Sequence, residues 1–114
     1  MSHLSILPTV LRDADRLATV LTSLGLHPER GGLLEAFPGD ARAVLLQVRL
    51  ADGLAIGWQR QGDGSLALVC DLQRLSRSRT LFPLIGRITR AYAAHQAIEA
   101  AALHLSSAVI EVRA

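Results

Sequence analysis

Three arginines, Arg74, Arg77 and Arg79, are interleaved with Ser76, Ser78 and Thr80 just ahead of a long apolar-periodic run, and Arg87 and Arg90 follow on that run's exposed side. A guanidinium is a planar, permanently charged donor that grips carboxylate or phosphate oxygens in pairs, and the start of a helix adds partial positive charge. The cluster therefore has the chemistry to receive an acidic protein segment, a small anion or nucleic acid. Its plainer reading is a solvated loop whose charges keep the chain in solution.

A second set of polar residues centres on His95. Tyr92 and His95 stand three apart and His95 and Glu99 four apart. Those spacings share one helix face and allow a phenol, an imidazole and a carboxylate to exchange hydrogen bonds. His3, were it near His95 in space, would complete a two-histidine site able to bind a ligand or act as a base; a half-buried structural histidine is the plainer reading. The four histidines, His3, His27, His95 and His104, are scattered. No pair of them has a ligand spacing supported by neighbouring Cys or carboxylates, so no metal and no cofactor is expected. Asp63 fits a turn between glycines, and Asp71 fits a strand end, capping the turn or pairing with Arg74. Cys70, the single cysteine, has no disulfide partner within the chain and reads as a small buried side chain. Trp58 reads as core packing, with an interface anchor as the alternative.

The elements that must position these residues follow from periodicity. Residues 3–11, with Pro8 inside, suit an opening edge strand. Asp13 can cap a helix in which Leu17, Val20, Leu21 and Leu24 share a face and Gly25 stops the pattern. Residues 27–39, rich in Gly and Pro, read as a loop with a brief edge strand at Leu33-Leu34. Alternation over Val44 to Leu50 and again over Leu54, Ile56 and Trp58, then Leu66 to Leu72 after Gly62-Asp63-Gly64, predicts a three-stranded antiparallel meander. Gln73 to Thr80 reads as a polar loop. A long helix is expected from Leu81 to Leu105, capped by Ser78 or Thr80, and the β-branched tail 108–112 as a final strand. The expected fold is α+β, a mostly antiparallel sheet with two helices on one face, as an elaborated split βαβ (ferredoxin-like) unit in one domain spanning 1–114.

Composition narrows the function classes. Of the 114 residues 50% are hydrophobic and 19% are charged, a balance that excludes an intrinsically disordered chain. No run reaches the roughly 20 apolar residues of a membrane span, and the N-terminus lacks the basic and apolar regions of a secretory signal, so a cytoplasmic protein is expected. The formal net charge is only +2, all 12 basic residues are Arg, and four aromatics form no pattern interleaved with basic residues. Nucleic acid is thus the less favoured partner.

Four segments together, MSHLS at the N-terminus, LRDADRLATVLTSLGL, GWQRQGDGSLALVCDL and ITRAYAAHQAIEAA, resemble a conserved hypothetical family classed as a domain of unknown function, which includes the plastid-encoded hypothetical chloroplast open reading frame thirty-five. The resemblance covers nearly the whole chain. It rests on the Met-Ser-His opening, a Gly-aromatic and Asp-Gly hairpin, and a Tyr-Ala-x-His signature matched by Tyr92, Ala93 and His95. Leu4 and Leu66 stand where the family commonly has aromatics, and the tail after Leu103 is shorter. The resemblance implies a cyanobacterial-type cytoplasm, supplies no activity, and points to company with an ATPase of the AAA class.

The function expected from these residues is that of a small non-enzymatic interaction or regulatory protein, docking a protein partner through the arginine loop, a helix or a sheet edge, with homodimerisation also open. The alternatives are an anion-binding or small-ligand module or enzyme centred on His3, Tyr92 and His95, and RNA binding.

Overall fold

The computed structural model describes residues 4–37, 39–51 and 53–113, with backbone alone at 36–37 and 106–113. Its elements in chain order are β1 (Leu4–Pro8), α1 (Ala14–Ser23), β2 (Glu29–Arg30), β3 (Leu33–Phe37), β4 (Asp40–Ala43), β5 (Leu46–Arg49), β6 (Ala55–Arg60), β7 (Leu66–Asp71), α2 (Leu72–Arg77) and α3 (Leu81–Arg113). The architecture is α+β. A five-stranded sheet runs in the order β1-β7-β6-β5-β2, every neighbouring pair antiparallel, and β3 pairs with β4 as a separate hairpin.

The expected meander is present as β5-β6-β7. Its second turn closes through Gln61 N–H to Ser65 O at 2.8 Å, with Gly64 at φ +87°, a backbone conformation that side chains disfavour. Pairing puts Leu46, Trp58, Leu68 and Leu7 side by side across four strands. Period-two alternation sends this row to one face, where it meets Leu17, Val20 and Leu21 of α1 and Leu81, Ile88 and Tyr92 of α3 in the main core. Both long helices therefore cover one face. The opposite row, Gly57, Val69 and Ile6, lies under the β3–β4 hairpin, where Leu4, Leu34, Val44 and Val69 form a second, smaller core.

Gly57 permits that second core. A Cβ placed there would meet Val44 Cγ1 at 3.0 Å and the Leu46 carbonyl at 3.1 Å, so a side chain would force Val44 or the β5 backbone to give way.

Helix α1 begins and ends where its residues dictate. The Asp13 carboxylate accepts the Arg16 N–H at 3.1 Å, and Gly25 follows the last turn at φ +84°, an N-cap and a left-handed stop of the usual kinds.

Three expectations are corrected. Residues 27–39 are not mainly loop: they supply β2 and β3, the latter paired with β4, because Leu34 and Val44 find an apolar seat on the far face of the sheet that local composition does not reveal. The polar loop over Gln73 to Thr80 begins as helix α2, since Asp71 accepts the Gln73 N–H at 3.0 Å and the Arg74 N–H at 3.4 Å and Leu75 is buried, which makes Asp71 a helix N-cap. The final strand over 108–112 is absent; those residues continue α3 to Arg113. The alanine-rich run from Ala91 to Ala102 contains no Gly or Pro to stop the helix, and its high helix propensity outweighs the β-branched tail.

Strands β1 and β6 flank β7, both antiparallel to it, and so run parallel to each other. The chain reaches β6 from α1 only after forming β2–β5, and no fourth strand follows α3 among the described residues. Nor is any helix of the described residues long and apolar enough to cross a membrane.

Candidate binding site

The arginine cluster is positioned by the two caps around α2. Asp71, only 4% exposed, ends β7 and starts α2, and Ser78 Oγ accepts the Leu81 N–H at 3.0 Å as α3 begins. Arg74, Arg77 and Arg79 thereby lie on a short capped segment and its exit, all three exposed. Among the described residues no carboxylate pairs with any of them. They line a concavity of about 570 Å³ together with Leu54, Ser78 and Thr80.

Leu54 and Arg74 also line a neighbouring cavity of about 350 Å³, which runs beneath the β3–β4 hairpin past Leu34, Glu35, Gln47 and Arg49 to Asp71. The two make one groove. It carries four guanidinium groups against two carboxylates, and the Asp71 carboxylate is already occupied by backbone N–H groups of α2. The excess positive charge lies over a partly apolar floor of Leu4, Leu34 and Leu54. Arg49 and Leu54 were not among the sequence-derived candidates. The signal for Arg49 was its outward position in the β5 alternation, but only the fold brings it to the same groove as α2.

Tyr92 and His95 lie elsewhere, where α3 crosses α1. The Tyr92 hydroxyl accepts the Asp13 N–H at 2.9 Å and the Arg12 N–H at 3.3 Å. Arg16 lies over the Tyr92 ring, 5.6 Å from its centre, where the ring face attracts a cation. The same guanidinium donates from Nε to His95 Nδ1 at 3.2 Å and from Nη2 to Glu99 Oε2 at 2.6 Å. The hydrogen bond to Glu99 holds Arg16 further in its charged form, since a donor bonded to a carboxylate resists losing its proton. With its Nδ1 lone pair taken by Arg16, the imidazole carries its N–H on Nε2, which stands 3.7 Å from Glu99 Oε1. This is a clamp that ties helix α1 to helix α3. Arg16, the hub of it, was missed from sequence, since its link to His95 spans 79 positions. His3 lies outside the described residues. Tyr92 and His95 line neither of the two cavities that Arg74, Arg77 and Arg79 line.

Trp58 is 2% exposed within the main core, which agrees with its packing reading. Cys70 is fully buried, and burial, with Asp71 next to it, pushes its thiol up to about 11, both effects disfavouring the thiolate. Arg87 and Arg90 are exposed on α3. No group of three or more metal-ligating side chains occurs among the described residues.

A family model described as a protein of unknown function (DUF1257) matches residues 20–106, from the middle of α1 through the meander, the groove and most of α3. The chain belongs to this family. The matched span contains both the arginine groove and the Tyr92–His95 clamp, apart from Leu4 at the groove floor and the residues Arg12, Asp13 and Arg16 around the start of α1. No curated protein and no solved structure matches the chain.

Proposed function

We propose that this family member is a docking protein, whose arginine-lined groove beside α2 receives an acidic segment of a protein partner. The observation that carries the reading is the set of exposed guanidinium groups at Arg74, Arg77 and Arg79, without carboxylate partners among the described residues, around a concavity floored by Leu54. Charges held apart from internal ion pairs on capped segments lose little freedom when an anion arrives. Glu35, at the hairpin side, favours a partner that is not uniformly acidic.

The reading takes the 114 residues as one cytoplasmic domain with no catalytic role. It treats β1, α1, β6 and β7 as a split βαβ unit elaborated by β2–β5, a view supported by the parallel run of β1 and β6 about β7. The family resemblance directs the search for the partner to an AAA-class ATPase.

The test is affinity capture from a cyanobacterial lysate at low and moderate salt, with nuclease-treated controls, comparing the native chain with the Arg74→Ala/Arg77→Ala/Arg79→Ala variant. The expected result is a protein recovered by the native chain and lost by the variant. Recovery of nothing, or of nucleic acid alone, would overturn the docking reading; binding to RNA would then show a steep fall with salt.

A further inference from the structure

Strand β3 is hydrogen-bonded along one side only, because it pairs with β4 in a sheet of two strands. The orientation of its other edge follows from a single bond. The Gly32 carbonyl accepts the Val44 N–H at 3.1 Å, so that carbonyl points to the side on which β4 lies. In a trans peptide such as this one the N–H lies opposite the carbonyl, and the Leu33 N–H therefore points away from β4. In extended backbone the N–H and C=O of one residue share a side and successive residues alternate. Leu34 thus gives its groups to β4, while Leu33 and Glu35 each present a donor and an acceptor at the unpaired edge. The side chains of Leu33 and Glu35 are exposed, and Leu34 is buried against the sheet.

That edge borders the arginine groove. Leu33, Leu34 and Glu35 are consecutive and their side chains alternate in direction, yet all three line the cavity of about 350 Å³, as happens where a cavity follows the backbone of a strand. Its floor is a row of the large sheet. Leu4 pairs with Asp71 and Arg49 with Ala55, and all four line the same cavity. An extended segment laid along β3 would point alternate side chains at this floor and leave the others at the open mouth, where Arg49 and Arg74 are exposed.

Charge decides which segment fits. Arg49, Arg74, Arg77 and Arg79 stand around the joined groove, and among the described residues none of them is in an ion pair. Glu35 opposes them, but the Asp71 carboxylate is engaged by N–H groups of α2. A strand bearing carboxylates gains from this surplus, and a basic strand is turned away by it.

We propose that the partner's acidic segment docks by adding as an extended strand to β3, its main chain bonded to Leu33 and Glu35 and its carboxylates facing Arg49 and Arg74. This mode of recognition takes affinity from the main chain and selectivity from alternate side chains. It rests on the docking reading and specifies how that site holds its segment.

The probe is a fluorescein-labelled, end-capped peptide of four Val-Glu repeats, titrated against the full chain by fluorescence anisotropy. Two N-methylated forms are compared with it, one methylated at the Glu nitrogens and the other at the Val nitrogens. Only alternate N–H groups of an added strand face β3, so one form is expected to bind at least about tenfold more weakly than the parent and the other to match it. Saturation with the parent peptide is expected to slow amide exchange, read by NMR, at least about tenfold at Leu33 and Glu35 and to leave Leu34 little changed. Equal binding of all three peptides, or unaltered exchange at Leu33 and Glu35, would overturn strand addition, and if binding were still lost in the Arg74→Ala/Arg77→Ala/Arg79→Ala variant the docking reading would stand without it. Binding undiminished in that variant would overturn the docking reading and this proposal together. A parent peptide that does not bind the native chain would overturn the proposal, with the docking reading judged by its own capture experiment.

Discussion

The phenolic oxygen of Tyr92 on α3 accepts the backbone N–H of Asp13, the N-cap of α1, at 2.9 Å across 79 positions of sequence. It also takes the Arg12 N–H at 3.3 Å, so one hydroxyl fixes where α1 starts relative to α3. Tyr92→Phe keeps the ring and strands both N–H groups. The expected loss is about 1–3 kcal/mol of stability, read from urea unfolding followed by Trp58 fluorescence. A loss below a few tenths would mean that water replaces the hydroxyl without cost.

Gly57 sits under Val44, where a methyl group would be crowded by Val44 Cγ1 at 3.0 Å. Gly57→Ala is expected to destabilise by about 1–3 kcal/mol, as overpacking does. Adding Val44→Ala, which removes the nearest methyl, should return less than the whole loss, because the Leu46 carbonyl at 3.1 Å remains in place. Additive losses in a double-mutant cycle would show that the two positions do not press on each other.

Asp71 caps α2 with its buried carboxylate. Asp71→Ala should cost about 0.5–2 kcal/mol and loosen the segment carrying Arg74 and Arg77, while Asp71→Asn, which keeps an acceptor oxygen, should cost less. Hydrogen exchange across residues 72–78 distinguishes local loosening from global loss. Equal behaviour of the two variants would assign the effect to charge and not to capping.

The Cys70 thiol, raised to about 11 from an ordinary 9.0, holds its proton more tightly in the folded chain than in the unfolded one. Its contribution is therefore fully present below pH 9 and diminishes as pH rises from there toward 11, because the unfolded chain then gives up the proton first. Cys70→Ser or Cys70→Ala should flatten the fall in stability across that window. A thiol reagent at pH 8 should label the native chain only at the rate of unfolding. Fast stoichiometric labelling would contradict the burial.

The residues alone determined those features that depend on near neighbours. Asp13, the Leu17-Val20-Leu21 stripe and Gly25 define α1 because a cap, a helical period and a left-handed stop all act within a few positions. Alternation about Gly62-Asp63-Gly64 likewise specified the hairpin that carries Trp58 and Cys70 inward. The arginine cluster was legible as chemistry, since charge and hydroxyls are properties of the residues themselves. Tertiary structure decided the rest, where the outcome depends on what lies across the fold. The hairpin bearing Leu34 packs with Val44 on the far face of the sheet, where Gly57 leaves Val44 space. Asp71 made helix of an apparent loop once its carboxylate was placed over α2. Arg49 joined the groove through strand pairing, and Arg16 reached His95 through the crossing of two helices. Burial and long-range pairing supply free energies that local propensity cannot encode, so contacts between positions 16 and 95 are written in the packing and not in the spacing of residues along the chain.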